Sequence, residues 1–385
     1  MILGIDASNL RAGGAVTHLV QLLAAAEPGV PGFSQVVVWA GRAVRARIEE
    51  RPWLLKQGEP LLERGLLHRT YWQYFRLSGL ARQAGCDVLL VPGGSFAGDF
   101  QPTVTMSQTM LPFDKAERRR FGWSWMRVKL GILRVAQGRA FRRTDGLIFL
   151  TEYARNAVMN ASRRKVGRTT IVPHGVDRRF VCPPREQLTL SQYSADRPLR
   201  LLYVSTIDMY KHQWHVVEAV ARLRADGLPV TLDLVGAAYP PALRRLRQTL
   251  DRVDPRCEWV RYSGLVPYTE LPRRYKEADV FVFASSCENM PITLLEGMAS
   301  GLPIVCSCRG PMPEILGDAG LYCDPEIPGD IAETLRRVIE LPELRAELAG
   351  ASFARAKKYS WARCAQETFG FLASVAIGDR AVHVC

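Results

Sequence analysis

The chain has 385 residues, 48% of them hydrophobic and 23% charged, with a formal net charge of +13. That length and balance exclude a disordered chain and leave room for two domains, each with its own apolar core. Nine cysteines, an odd number without CxxC spacing, argue against a disulfide framework or a cysteine metal site; Cys306 and Cys308, the closest pair, read as neighbours on one strand.

The opening MILGIDASNL enters a strand-like run without a basic leader, an apolar core region or a cleavage site. No stretch approaches about eighteen apolar residues, so the expectation is a cytoplasmic protein, soluble or peripheral on the inner face of the cytoplasmic membrane. Strands are predicted over residues 2–5, 36–39, 88–91, 104–106, 147–150 and 170–172, alternating with longer helical stretches. Behind the first strand stand Gly13 and Gly14, then a helix. Adjacent glycines there let the backbone approach a phosphate or sugar, and the helix end favours an anion. The same pair also serves in ordinary turns, and it is not the G-x-G-x-x-G dinucleotide fingerprint. His18, one turn into the helix, reads as a surface or packing residue.

The charge is unevenly placed. Residues 1–175 hold 25 Lys and Arg against 12 Asp and Glu, whereas residues 176–385 hold 26 of each. Between Lys115 and Arg143 ten basic residues face one acid, Glu117. Arg120, Arg127 and Arg134 recur every seven residues as one helical stripe, and Met126, Leu130, Leu133 and Ala140 form another, with Trp123 and Trp125 among them. Two readings stay open: an anionic membrane surface or phosphate-bearing acceptor along residues 115–143, or a solvated face that packs on a sheet. Nucleic acid is not expected, because no recognised binding motif accompanies the charge.

Residues 176–198, polar and proline-containing, read as a linker. A second strand series follows at 199–204, 231–235, 259–262, 280–284, 304–306 and 321–323. This alternation predicts an α/β protein of two doubly wound domains, with ligands at the carboxyl ends of strands and a cleft between the domains as the expected site.

Two features of the second half carry chemistry. Lys211 follows the strand 199–204 on a strand-to-helix loop, where an ammonium can reach a diphosphate; read alone, it is an exposed lysine. Glu288 and Glu296, eight positions apart, flank Pro291, where a helix can begin. Glu288 then lies at the carboxyl end of the strand 280–284. Glu296 stands two turns along, on the face of the free first-turn amides, and carboxylates there can accept sugar and ribose hydroxyls. In the bland alternative Glu288 caps the helix and Glu296 is an ordinary surface residue. The apolar neighbours Ile292, Leu294, Leu295, Met298 and Ala299 disfavour that, since they make an unpartnered carboxylate costly. No Asp-x-Asp or His-Glu-x-x-His cluster supplies metal ligands, so no metal and no cofactor is expected.

At this point the residues resemble a known family. The segment ENMPITLLEGMASGLPIVCSCRGPMPEILGDAGLYCDP resembles the donor region of glycosyltransferase family 4, retaining nucleotide-sugar transferases of GT-B fold: Glu288 to Glu296, then Gly301-Leu302-Pro303-Ile304, then Pro313-Glu314 through Gly320-Leu321. IVPHGVDRRF, LLYVSTIDMYKHQ, SGLVPYTELPRRYKEADVFVFAS and KKYSWARCAQETF are similar to further family segments. The match runs from about residue 171 to 369; earlier it rests on Gly13-Gly14 and the strand pattern.

The resemblance implies two Rossmann-like domains facing across a cleft, with the last helix crossing back to the first. The domains are then an acceptor-binding domain over 1–175 plus about 366–385, a linker over 176–198 and a donor-binding domain over 199–365. It implies catalytic roles for Glu288 and Lys211, with Glu288 on the donor sugar and Lys211 on the diphosphate. Asn289, Met290, Pro291, Ile292 and Thr293 would hold sugar hydroxyls and phosphate, Glu296 the ribose, and Gly13, Gly14, Thr206 and Val266 would also line the donor. Gln108 and His174 are acceptor-side candidates. Two departures bear on this: Thr206 stands where the family usually has an arginine five residues before the lysine, and Ser107 and Gln108 stand where it often has a histidine.

The implied reaction moves a hexose from a nucleoside diphosphate sugar, GDP-mannose or a related GDP-sugar first and a UDP-sugar next, to a saccharide acceptor, lipid-linked, in bacterial surface polysaccharide assembly. The likeness is to mannosyl- and rhamnosyl-type transferases. The alternatives are a nucleotide-sugar epimerase on the same fold and a non-catalytic basic membrane-binding protein.

Overall fold

Short runs of Val, Ile, Leu and Phe become central strands buried on both faces, as parallel sheets covered by helices require. The computed structural model describes residues 1–27, 32–162 and 167–382 and divides into two units.

The first unit comprises Met1–Arg118, Trp123–Gly175 and Ser360–Cys385. Its sheet holds β1 (Ile2–Ala7), β2 (Gln35–Ala40), β3 (Leu54–Gln57), β4 (Val88–Val91), β5 (Thr103–Met106), β6 (Gly146–Phe149) and β7 (Arg168–Ile171), in the order β3-β2-β1-β4-β5-β6-β7, all parallel. Six of the seven match predicted runs. The exception, β3, is an edge strand of sequence LLKQ in which only Leu54 is fully buried, so it carries almost no apolar signal. The helix Trp361–Val382 belongs to this unit: Arg168 donates to the Ser374 carbonyl at 2.8 Å, and a Cβ on Gly146 would meet the Phe371 ring at 2.9 Å.

The second unit comprises Arg119–Gly122 and Val176–Tyr359. Its strands are β8 (Leu199–Val204), β9 (Val230–Val235), β10 (Val260–Gly264), β11 (Val280–Phe283), β12 (Ile304–Ser307) and β13 (Leu321–Cys323), in the order β10-β9-β8-β11-β12-β13, again all parallel.

Residues 176–198 lie on this unit rather than standing apart from it. The Cys182 amide donates to the Ala299 carbonyl at 3.0 Å, Tyr193 donates to Asp279 at 3.2 Å, and Arg345 donates to the Leu188 carbonyl. Gly301, at φ +64°, leaves 2.6 Å between a built Cβ and the Pro184 nitrogen, so a side chain there has no room. The arginine stripe is also divided. The basic helix begins at Trp125, with Ser124 as its N-cap, and Arg120 lies in the turn before it, where it grips Glu326 with two bonds of 2.8 and 2.6 Å.

In each sheet the strand order reverses once, between β1 and β4 and between β8 and β11, and ligands of doubly wound sheets bind beyond the carboxyl ends at such a reversal. Gly13 follows β1 in the first unit. In the second, Lys211 follows β8 and Glu288 follows β11.

Candidate functional site

Lys211 and Glu288, 77 positions apart in sequence, meet beyond β8 and β11: the Lys211 ammonium donates to Glu288 Oε1. Their side chains are 9% and 13% exposed, so each offsets most of the desolvation of the other while one edge of the pair stays open. The ammonium also stands over the Tyr210 and Phe283 rings at 5.0 and 5.4 Å.

The two loops are bound to each other. The Ser286 amide donates to the Tyr210 carbonyl at 2.8 Å, and His212 Nε2 pairs with Ser286 Oγ at 2.9 Å. Tyr203 on β8 donates its hydroxyl to the Lys211 carbonyl at 2.6 Å. His212 adopts a left-handed conformation (φ 51°, ψ 28°) that turns the chain into the helix Gln213–Ala225. Burial, with the nearby Arg120 charge, holds His212 neutral by lowering it to about 3. Burial raises the Asp208 carboxyl on the same loop.

Thr206 does not replace the missing arginine. It is exposed, and its carbonyl accepts from Gln213 Nε2 at 2.9 Å. Val266, itself half-buried between exposed neighbours, lies on the loop after β10, which turns at Gly264 (φ +66°).

After Glu288, Asn289, Met290 and Pro291 are buried and lead into the helix Ile292–Ala299. The Leu294 and Leu295 amides donate to the Pro291 carbonyl, whereas those of Ile292 and Thr293 have no intrahelical acceptor and face the position an anion would take. Gly297 seats the helix on β11: a Cβ there would come 2.8 Å from the Phe281 ring.

Glu296 is 1% exposed and does not stand open beside those amides. Its Oε1 accepts from Tyr268 at 2.9 Å and its Oε2 from Tyr275 at 3.2 Å. Phe180 packs against both tyrosines, and the Arg179 guanidinium lies 5.1 Å from the centre of the Tyr268 ring. Burial raises the carboxyl to about 8, the two tyrosine bonds opposing the rise. The apolar context foretold a partner for Glu296; the partners' identity needed the fold, since tyrosines in VPYTEL and RRYKEADV carry no mark of it.

In the first unit Gly13 has φ +73°, and a Cβ there would meet nothing within 4 Å, so the loop leads into Gly14 and its helix with open space around it. Gln108, half-buried beyond β5, lies 3.1 Å from Met106 sulfur. His174 is not on an accessible wall. It is 5% exposed and its Nδ1 lies 2.9 Å from His18 Nδ1, with Trp361 packed against both rings. Burial lowers His18 to about 4 and takes His174 well below the usual histidine range. His18 is therefore a packing residue. Among the described residues no group of three or more His, Cys, Asp or Glu side chains is placed to hold a metal ion. No described helix is long and apolar enough to cross a membrane.

Residues 198–341 match the family model described as Glycosyl transferases group 1. The match lies within the second unit, over the stretch where the motifs are densest. The chain is 36% identical over 110 residues to the O-antigen chain mannosyltransferase B of Escherichia coli, covering 29% of each protein. It is 26% identical over 253 residues to a D-inositol 3-phosphate glycosyltransferase of Nocardioides, covering 61% of this chain and 54% of that protein. The chain thus spans about a third to a half of these curated relatives. Among solved structures, Anabaena Alr3699/HepE in complex with UDP and glucose superposes with a TM-score of 0.69 at 18% identity, covering 97% of this chain and 100% of that one. WaaG, a glycosyltransferase involved in lipopolysaccharide biosynthesis, gives 0.70 at 15% identity, covering 97% and 99%. At these identities the likeness is one of fold: two Rossmann-like units of the GT-B class.

Proposed function

We propose that this chain is a retaining, metal-independent glycosyltransferase that moves a hexose from a nucleoside diphosphate sugar to a lipid-linked saccharide in bacterial surface polysaccharide assembly. The observation that carries the reading is the Lys211–Glu288 pair at the strand-order reversal of the second sheet, beside the first-turn amides of the helix Ile292–Ala299. A lysine alone there binds many anions. A lysine held by a carboxylate offers a diphosphate site and a sugar-hydroxyl acceptor side by side.

In this reaction the bond from the anomeric carbon to the diphosphate oxygen breaks as the acceptor oxygen bonds to the same face of the sugar. The acceptor proton passes to the departing diphosphate. Lys211 and the amides of Ile292 and Thr293 offset the charge that develops on the diphosphate, and Glu288 orients the sugar through its hydroxyls without forming a covalent bond. Positioning and fixed dipoles then supply most of the acceleration. Ribose reaches Glu296 by taking the place of the Tyr268 hydroxyl at Oε1, the oxygen on the side of the half-exposed tyrosine. The mannosyltransferase relative favours mannose as the sugar, with GDP-mannose as first donor. The UDP complex of the structural neighbour keeps UDP-sugars second.

The test is thermal unfolding with a panel of nucleoside diphosphate sugars. At about a hundred times Kd a donor that binds only the folded chain adds about 2.7 kcal/mol, a shift of several degrees. One donor is expected to raise Tm selectively and to be consumed only when a saccharide acceptor is present, with EDTA leaving turnover intact. No shift with any nucleotide sugar overturns the donor site, and consumption without acceptor overturns transfer in favour of a one-substrate reaction.

A further inference from the structure

The basic helix of the first unit, Trp125–Arg143, carries two apolar lines on opposite sides. Leu130, Gln137, Ala140 and Phe141 are buried. Trp125, Val128, Ile132 and Val135 recur three and four residues apart on the other side, and all four are exposed. At about 100° per residue, Lys129 flanks this outer line on one side and Arg139 continues it, while Arg127 and Arg134 lie about 80–100° beyond Val135 on the other side, between the outer and the buried line. A shallow cavity of about 480 Å³ opens on it, lined by Val128, Gly131, Ile132, Val135, Ala136 and Arg139. Just before the helix Trp123 is fully exposed, with the Arg127 guanidinium 5.6 Å from its ring centre.

A second row lies on the same unit. The helix Leu66–Phe75 exposes Leu67 (83%), Tyr71, Tyr74 and Phe75, three aromatic rings packed at centroid distances of 4.7 Å. Both helices border the turn that follows β4. Gln73 donates to the Ser95 carbonyl at 3.1 Å, and a Cβ on Gly94 would meet Gln137 Nε2 at 2.9 Å. The two rows therefore stand at one end of the first sheet.

Isolated exposed apolar side chains are ordinary, but a continuous line of Trp, Val and Ile on a helix marks a surface that something covers. The charge identifies what. The flanking residues are cationic, and the whole positive excess of the chain lies in this half. A second copy in a symmetric contact would bring two such basic faces together, whereas anionic headgroups neutralise them. Tryptophans at the rim suit the headgroup level of a bilayer.

We propose that the face of Trp125, Val128, Ile132 and Val135, with Lys129 beside it and Arg127 and Arg134 further round the helix, docks on a bilayer bearing anionic phospholipids. The apolar line enters the headgroup boundary and the basic flanks hold the headgroups, with Trp123 beside them. The face shares no residue with Lys211 and Glu288, so docking and sugar transfer can fail independently.

The experiment uses the full chain without donor or acceptor, sedimented with vesicles of phosphatidylcholine containing about 30% phosphatidylglycerol and, in parallel, with pure phosphatidylcholine. Sedimentation with the anionic vesicles is expected, weakening steeply between about 0.1 and 1 M salt. The triple variant Val128→Gln, Ile132→Gln, Val135→Gln is expected to lower partition at least about tenfold. Arg127→Glu with Arg134→Glu is expected to do the same while both variants unfold like the parent, since Val128, Ile132, Arg134 and Val135 are exposed and Arg127 is half-buried on the helix rim. Failure of the parent to sediment with anionic vesicles overturns the proposal, as does unchanged partition of the triple variant. A parent that avoids vesicles and forms a dimer abolished by the triple variant assigns the face to a second copy instead. Donor-induced thermal stabilisation, measured separately, reports on the transfer reading alone.

Discussion

The first unit carries most of its charge outside and, apart from Asp6 and Glu117, encloses neutral histidine rings, whereas the second is nearly balanced in charge and encloses an ion pair and a carboxyl at its donor loops. In the first, His18 and His174 are enclosed beside Trp361, both lowered by burial, while most basic residues of the helix Trp125–Arg143 stand at the surface. In the second, Lys211 and Glu288 are nearly enclosed as a pair, and Glu296 is fully enclosed under two tyrosines. Burying charge is costly, and a fold that does so at a strand-order reversal keeps groups there that chemistry can use. Placing charge outside costs little and suits attraction to an anionic surface.

The largest effect expected from breaking this contrast is on catalysis. Lys211→Ala and Glu288→Ala should each lower transfer by at least about 10² to 10³, the scale of losing one group that stabilises developing charge. Single-turnover assays with the preferred donor measure it, and near-normal turnover by either variant refutes the site assignment.

The next effect separates the units by pH. Glu296, ordinarily near 4.5, is raised to about 8, so the folded chain binds its proton at a pH where the unfolded chain has lost it. Its contribution is complete below 4.5 and is lost as pH rises through 8, by at most about 5 kcal/mol. Hydrogen exchange of second-unit amides should therefore quicken between pH 5 and 8 beyond its intrinsic rate. Glu296→Gln should flatten that rise, and an equal rise in the variant removes Glu296 as its cause.

The smallest is the mirror image in the first unit. His18 falls from 6.5 to about 4, so the unfolded chain takes up the proton first on acidification. Stability is complete above 6.5 and declines towards pH 4, by about 3 kcal/mol from His18. Amides around His18 and His174 should lose protection over that range in the parent and equally in Glu296→Gln. If the Glu296 substitution also removes the acid effect, the two units do not respond separately.

Much of the fold was legible because buried parallel strands write themselves as short apolar runs: residues 88–91, 199–204 and 321–323 became strands with those bounds. β3 was not, since an edge strand buries one side chain in four. The Lys211 and Glu288 loops could be placed beyond β8 and β11 from the alternation of strand and helix. Their contact could not, because no local pattern records which of several cations a carboxylate will meet. The buried line Leu130, Ala140 was readable from helical period. The outer line Trp125, Val128, Ile132, Val135 is equally periodic, and period alone could not say which line the sheet would cover.

The amino-acid sequence by itself determined the two parallel sheets, the uneven charge and the kinds of side chain at the donor loops, because apolar spacing, composition and turn chemistry act over a few residues. Tertiary structure decided that Lys211 pairs with Glu288, that tyrosines enclose Glu296, that His174 turns inward to His18 and that one apolar line stays outside. The physical reason is common to all four. Burial and hydrogen-bond partnership depend on segments distant in the chain, 77 positions for the ion pair and 156 for the histidines, brought together only when the sheets close.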